Sequence, residues 1–144
     1  MEMTSFLLIE DDPEDIELAK EVMEDCAHPL YIAKSGEQAL ELLEGKSGQM
    51  IDPMPGVVLI DINLPKMNGF DLLREIRQRP EMDNSLVFML TGSEADEDKQ
   101  RALDENVSGY IRKTITTDKL LNALGWHRSW QLCSAKKTPR VYEA

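Results

Sequence analysis

The sequence predicts an α/β domain: a doubly wound, five-stranded parallel sheet with helices on both faces. Two observations lead there. Short, continuous apolar runs rich in β-branched residues recur along the chain, as strands buried on both faces require, and stretches of helical periodicity separate them. The most telling run is Val57-Val58-Leu59-Ile60, which ends in Asp61 and is followed by the turn-forming Pro65-Lys66-Met67-Asn68-Gly69. A charge has no place in a core. In an open parallel sheet the carboxyl ends of the strands form the crevice where ligands bind, so Asp61 is expected to face a site.

The other elements follow in order. Ser5-Phe6-Leu7-Leu8-Ile9 is the first strand, and it ends in Glu10, Asp11 and Asp12. Asp12-Pro13 is a helix-start signal, with Ile16, Ala19, Val22, Met23 and Cys26 at helical spacing after it. Beyond Pro29, residues 30–33 make a short strand, and Ser35 with Gln38 is a capping box for a helix buried through Ala39, Leu40 and Leu43. Residues 44–55 hold two glycines and two prolines without periodicity, a long surface loop. After the central strand come a helix with Leu72, Leu73 and Ile76, then the run Leu86-Val87-Phe88-Met89-Leu90, closed by Thr91-Gly92-Ser93. Residues 94–105 predict a weakly amphipathic helix with Asn106 as its C-cap. Tyr110-Ile111 is the last strand, ending at Arg112-Lys113, and Thr117 or Asp118 caps a helix with Leu120, Leu121 and Leu124. Residues 1–132 read as one domain, and 133–144 as a frayed, mildly basic tail with no effector domain.

The 144 residues fit one core, burying roughly two thirds of the unfolded surface without disulfides or metals. The 27 acids against 16 bases give a net charge of −11, which argues against nucleic acid or an anionic membrane as the main partner. Cys26 and Cys133 stand far apart with no zinc-like spacing, so a reducing cytoplasm is the expected home. No basic start precedes a long apolar stretch, and no run approaches the roughly 18 residues of a membrane span. His28 and His127 are lone histidines, read as surface or packing residues.

If the sheet is parallel, its strand ends bring Glu10, Asp11, Asp61, Thr91 and Lys113 to one rim. Carboxylates gathered so closely repel one another. Oxygen ligands with incomplete coordination suit a hard divalent ion such as Mg2+, which completes its shell with water and a phosphate oxygen. Asp61 is then a carboxylate nucleophile able to accept a phosphoryl group as an acyl phosphate, with Lys113 supplying a second cation and Thr91 a hydroxyl.

Leu7-Leu8-Ile9-Glu10-Asp11-Asp12-Pro13, the segment from Asp61 to Gly69, Thr91-Gly92, and Gly109-Tyr110-Ile111-Arg112-Lys113 together resemble the receiver domain of two-component response regulators, over about residues 5–131. The resemblance implies a flavodoxin-like strand order of 2-1-3-4-5. It implies Asp61 as phosphoacceptor, Asp11 as direct Mg2+ ligand, Glu10 acting through water, Asn63 offering its backbone carbonyl, Thr91 and Tyr110 as the switch pair, and Lys113 as the phosphate-binding lysine. Thr114 stands where the family usually has a proline joined by a cis bond. The loop at 44–55, the Lys113-Thr114 pair and the Trp126 to Trp130 end are similar to the small single-domain regulators of phytochrome-type histidine kinases. The expected activity is therefore signalling by protein contact, with only self-catalysed phosphorylation and slow autodephosphorylation.

Two other readings fit the residues less well. A Mg2+-dependent aspartyl phosphatase needs a general acid two residues after its nucleophile, where this chain has Asn63. A pseudo-receiver adaptor usually lacks some of the acids, and none is missing here. Tyr110 also has a packing reading, beneath the 94–105 helix. Last, Trp126 and Trp130 extend the apolar arc of the final helix beyond one core-facing stripe, which predicts a homodimer through that helix.

Overall fold

Alternation along the strands decides which layer each side chain enters. A computed structural model of the chain describes residues 4–24, 28–46, 48, 51, 53–92, 107–125 and 141–143. Its elements are β1 (Ser5–Ile9), α1 (Pro13–Val22), β2 (Leu30–Ala33), α2 (Gly36–Glu44), β3 (Pro55–Asp61), α3 (Gly69–Arg77), a 3-10 turn (Pro80–Met82), β4 (Leu86–Thr91), β5 (Gly109–Arg112), α4 (Thr117–Gly125) and β6 (Val141–Glu143). The strands pair in parallel in the order β5-β4-β3-β1-β2-β6. Successive side chains of a strand point to opposite faces. Leu7, Ile9, Val58, Ile60, Val87 and Met89 therefore pack with α2 and α3 through Ala39, Leu42, Phe70, Leu72 and Ile76. Phe6, Leu8, Val57, Leu59, Phe88 and Leu90 pack on the other face with Ile16 and Ala19 of α1, with Met23 just beyond it, and with Leu120 and Leu124 of α4.

Local chemistry fixes the helix starts. Asp12 Oδ1 accepts from the Glu14 N–H at 2.9 Å with Pro13 behind it, and Asn68 Oδ1 accepts from the Asp71 N–H at 2.9 Å. Ser35 Oγ accepts from the Gln38 N–H at 3.1 Å, but Gln38 Oε1 reaches past Ser35 to the Lys34 N–H at 2.8 Å. The expected capping box is thus displaced by one residue on its return bond. α2 closes at Gly45, whose φ of 74° favours glycine, with the Lys46 N–H donating to the Glu41 carbonyl at 2.9 Å.

The structure corrects three expectations. The cap of α4 is Thr116, whose Oγ1 accepts from the Lys119 N–H at 3.1 Å, and not Thr117 or Asp118. Leu121, expected in the core, is 43% exposed, because only Leu120 and Leu124 lie on the stripe facing the sheet. The sheet gains a sixth strand: Val141, Tyr142 and Glu143 pair with Leu30, Tyr31 and Ile32, where a frayed tail was expected. The Tyr31 and Tyr142 rings stack with centroids 4.7 Å apart, and Glu143 ion-pairs with Lys20 and with Lys34. The loop before β3 is also anchored: Ile51 is buried in the core, and Ser5 Oγ donates to the Pro53 carbonyl at 2.7 Å. The expected 94–105 helix, Asn106, Cys26, His127, Cys133, Trp126 and Trp130, and with the tryptophans the homodimer expectation, lie outside the described residues.

Gly69 is where α3 meets the end of β3. A Cβ there would stand 2.6 Å from the Asp61 carbonyl oxygen and 2.9 Å from Ile62 Cα, both backbone atoms. Gly69→Ala is therefore expected to cost about 1–3 kcal/mol in urea denaturation, the usual cost of overpacking.

His28 is buried, its ring stacked on Phe6 at 6.0 Å. Burial lowers its pKa from the ordinary 6.5, against an opposing hydrogen bond with the Thr4 backbone. The unfolded chain therefore takes up this proton first as pH falls. His28's contribution to stability is intact above about 6.5 and is lost as pH drops through 6.5 toward the lower folded value. His28→Gln should flatten the decline in denaturation midpoint on acidification across that range, relative to wild type.

Candidate functional site

Each rim residue is pinned by a bond that extends the sheet. The Glu10 N–H donates to the Ala33 carbonyl at 3.0 Å, the Ile62 N–H to Leu90 at 3.1 Å, and the Lys113 N–H to Thr91 at 2.8 Å. The registers Ile9↔Ile60, Asp61↔Leu90 and Thr91↔Arg112 bring the ends of β1, β3, β4 and β5 to one edge, and the expected rim residues gather there. Glu10, Asp11 and Asp61 each offer a carboxylate oxygen, all within 4.8 Å of one another. Thr91 is buried at the end of β4, and Asn63 enters through its N–H, which donates to Asp61 Oδ1 at 3.0 Å. Tyr110 is 41% exposed, so its ring does not fill a core position.

The Lys113 ammonium joins the group. Its Nζ lies 2.9 Å from Glu10 Oε2, 3.2 Å from Asp61 Oδ2 and 3.1 Å from Asp15 Oδ2. The bond following it, Lys113–Thr114, is cis, although a threonine stands where the family usually has a proline. Lys119 of α4 holds this turn from outside, donating to the carbonyls of Arg112 at 3.1 Å and Thr114 at 2.9 Å.

Electrostatics fit a cation between the acids. Glu10 is fully buried and Asp61 is 4% exposed. Burial pushes the Glu10 carboxyl from the usual 4.5 up to about 7; the Asp61 charge adds to the rise, and Lys113 and the Asp12 N–H oppose it. Burial lowers the Lys113 pKa, but close contact with the Glu10 and Asp15 carboxylates and the charges of Glu10 and Asp61 outweigh it, so the ammonium is held above its ordinary value. Glu10 Oε1 accepts from the N–H groups of Asp11 and Asp12 at 3.1 Å each, whereas Oε2 meets Lys113 as an ion pair without an aligned hydrogen bond. Two buried carboxylates, a third open to solvent on Asp11, and one under-satisfied oxygen make a donor set suited to a hard divalent ion.

Sequence reasoning missed Asp15 and Lys119. Asp15 is an acid in a helix's first turn, a position the helix dipole favours, and nothing in the spacing marks it as facing Lys113, 98 residues away. Nothing in the sequence singles out Lys119, whose reach to the turn appears only in the fold.

Comparison with known proteins agrees with this geometry. Residues 6–125 match the model of the response regulator receiver domain. The response regulator Rcp1 of Synechocystis is 33% identical over 110 residues, 75% of each chain. A solved structure of Rcp1 in its Mn2+-bound form superposes with a TM-score of 0.70 at 28% identity, over 94% of this chain and 99% of that one. The bacteriophytochrome response regulator AtBRR gives a TM-score of 0.80 at 28% identity, over 94% of this chain and all of the other. The phosphorylated cyanobacterial phytochrome response regulator RcpA gives 0.75 at 26% identity, over 91% and 99%. With its strand-end acids, its lysine and its doubly wound sheet in place, the chain belongs to the response regulator receiver domain family.

Proposed function

We propose that the protein is a phosphoacceptor of two-component signalling, taking a phosphoryl group onto Asp61 from a histidine kinase, of the phytochrome type that its relatives' names suggest. The observation that carries the reading is the Asp61 carboxylate, nearly buried, beside the Lys113 ammonium and within ligand distance of Glu10 and Asp11. Glu10, Asp11, Asp61 and the backbone carbonyl of Asn63 would hold Mg2+, which when bound supplies positive charge for the equatorial phosphoryl oxygens. An Asp61 oxygen attacks phosphorus in line, the P–N bond of the phosphohistidine breaks, and its electron pair returns to the imidazole. Lys113 holds a phosphoryl oxygen through its ammonium, and Thr91 donates its hydroxyl to another. The product is an acyl phosphate on Asp61.

The readout proposed is contact with a protein partner in the cytoplasm. Drawing Thr91 toward the phosphoryl group lets the exposed Tyr110 ring move inward and changes the face between β4 and β5. An aspartyl phosphatase is the weaker reading, since Asn63 presents an amide where such an enzyme needs an acid.

Incubation with acetyl phosphate and Mg2+ should add one phosphate by intact mass. The addition should vanish in Asp61→Asn and in EDTA, and labelling that survives in Asp61→Asn excludes the assignment. In beryllofluoride, amide exchange over residues 91–112 should slow in wild type. Lys113→Ala should still take some phosphate on Asp61 but show less than half of that protection. Identical exchange in the free and beryllofluoride-bound wild type counts against the Thr91 and Tyr110 switch.

A further inference from the structure

Lys113 carries three protons on a flexible four-carbon stem, and nothing in its own chemistry chooses where they point. Three carboxylates choose for it: Glu10 at 2.9 Å, Asp15 at 3.1 Å and Asp61 at 3.2 Å. These contacts are not equivalent. The bond to Asp15 Oδ2 is an aligned hydrogen bond, whereas those to Glu10 and Asp61 are ion pairs. Glu10 and Asp61 also belong to the trio of acids that can share a cation, and Asp15 does not. A cation arriving at the trio competes with Lys113 for two of its partners and leaves the third unchanged.

Asp15 is rigidly placed for this. It sits in the first turn of α1, which Asp12 and Pro13 start and Ile16 and Ala19 anchor beneath the sheet. The helix dipole favours a carboxylate there.

We propose that Asp15 is a positioning residue for Lys113. It takes one ammonium proton and so aims the others at the space over Asp61 that a phosphoryl oxygen enters. The inference rests on the reading of Asp61 as phosphoacceptor, and it adds a fourth acid with a role distinct from the three that can hold a metal. Because Asp15 is bound to neither the cation nor the phosphoryl group, it holds Lys113 both before and after transfer. Losing it leaves the ammonium to settle between Glu10 and Asp61, where it blocks the entry it should assist.

The experiment has two readouts. In metal-free, unphosphorylated protein, the Lys113 ammonium is followed by 15N–1H correlation NMR, assigned with Lys113→Arg. Wild type should show a slowly exchanging signal that Asp15→Ala loses and that Asp15→Asn, which keeps an oxygen acceptor of the same shape, partly restores. With acetyl phosphate, Asp15→Ala should slow labelling of Asp61 on the order of ten-fold, the scale of one hydrogen bond to a charged group, while half-saturating Mg2+ changes less than about two-fold. Asp15→Asn should fall between. An unchanged Lys113 signal in Asp15→Ala overturns the inference, as does wild-type labelling speed in that variant when Lys113→Ala is slow. If wild-type protein took no phosphate, the phosphoacceptor reading would fail by itself, and the ammonium signal would still decide whether Asp15 positions Lys113.

Discussion

The organising constraint is the burial of Glu10 and Asp61 side by side at the carboxyl edge of the sheet, with one ammonium between them. Two like charges out of water are tolerated only where opposite charge is held close and cannot drift. Much of the surrounding structure serves that end. β5 is hydrogen-bonded to β4 so that Lys113 leaves the sheet beside Thr91, Lys119 clamps the carbonyls on either side of Lys113, and α1 brings Asp15 to its far flank. On the acid side, the Asp11, Asp12 and Asn63 N–H groups each bond a buried carboxylate oxygen. The Glu10 pKa stays raised because burial outweighs these partners.

Most of this arrangement is legible in the chain, because the strands are buried on both faces and so appear as uninterrupted apolar runs. Where each run ends is also plain: Ile9 gives way to Glu10, Ile60 to Asp61 and Leu90 to Thr91. Parallel pairing then puts those ends together without knowledge of any contact. What escapes is whatever depends on side-chain reach. Asp15 and Lys119 are long-range partners of Lys113 and of its turn, yet each sits at an unremarkable helical position. Thr116 caps α4 in place of the neighbouring Thr117 because three candidate residues stand in a row and the backbone selects among them. Leu121 looks like its two leucine neighbours, but the stripe facing the sheet is narrow enough to exclude it.

β6 was illegible for a different reason. Val141-Tyr142-Glu143 is too short to display either periodicity, and its strand character comes from its partner. β2 presents an open edge with Tyr31 on it, and Tyr142 finds a ring to stack on while Glu143 finds Lys20 and Lys34. Each contact is modest by itself. Together with the parallel ladder they specify both the register and the direction of a segment that local propensity leaves undecided.

The placement of β6 also changes what the sheet offers to other molecules. Without it, the four residues of β2 would expose a row of unpaired N–H and C=O groups beside an apolar surface, an open template on which another extended chain could grow the sheet and seed aggregation. With it, the outermost strand has three residues and ends in Glu143, whose charge is tied down by two lysines. A strand so short and so charged makes a poor template. Val141–Glu143 thus shields the edge of the described sheet that lies farthest from β5.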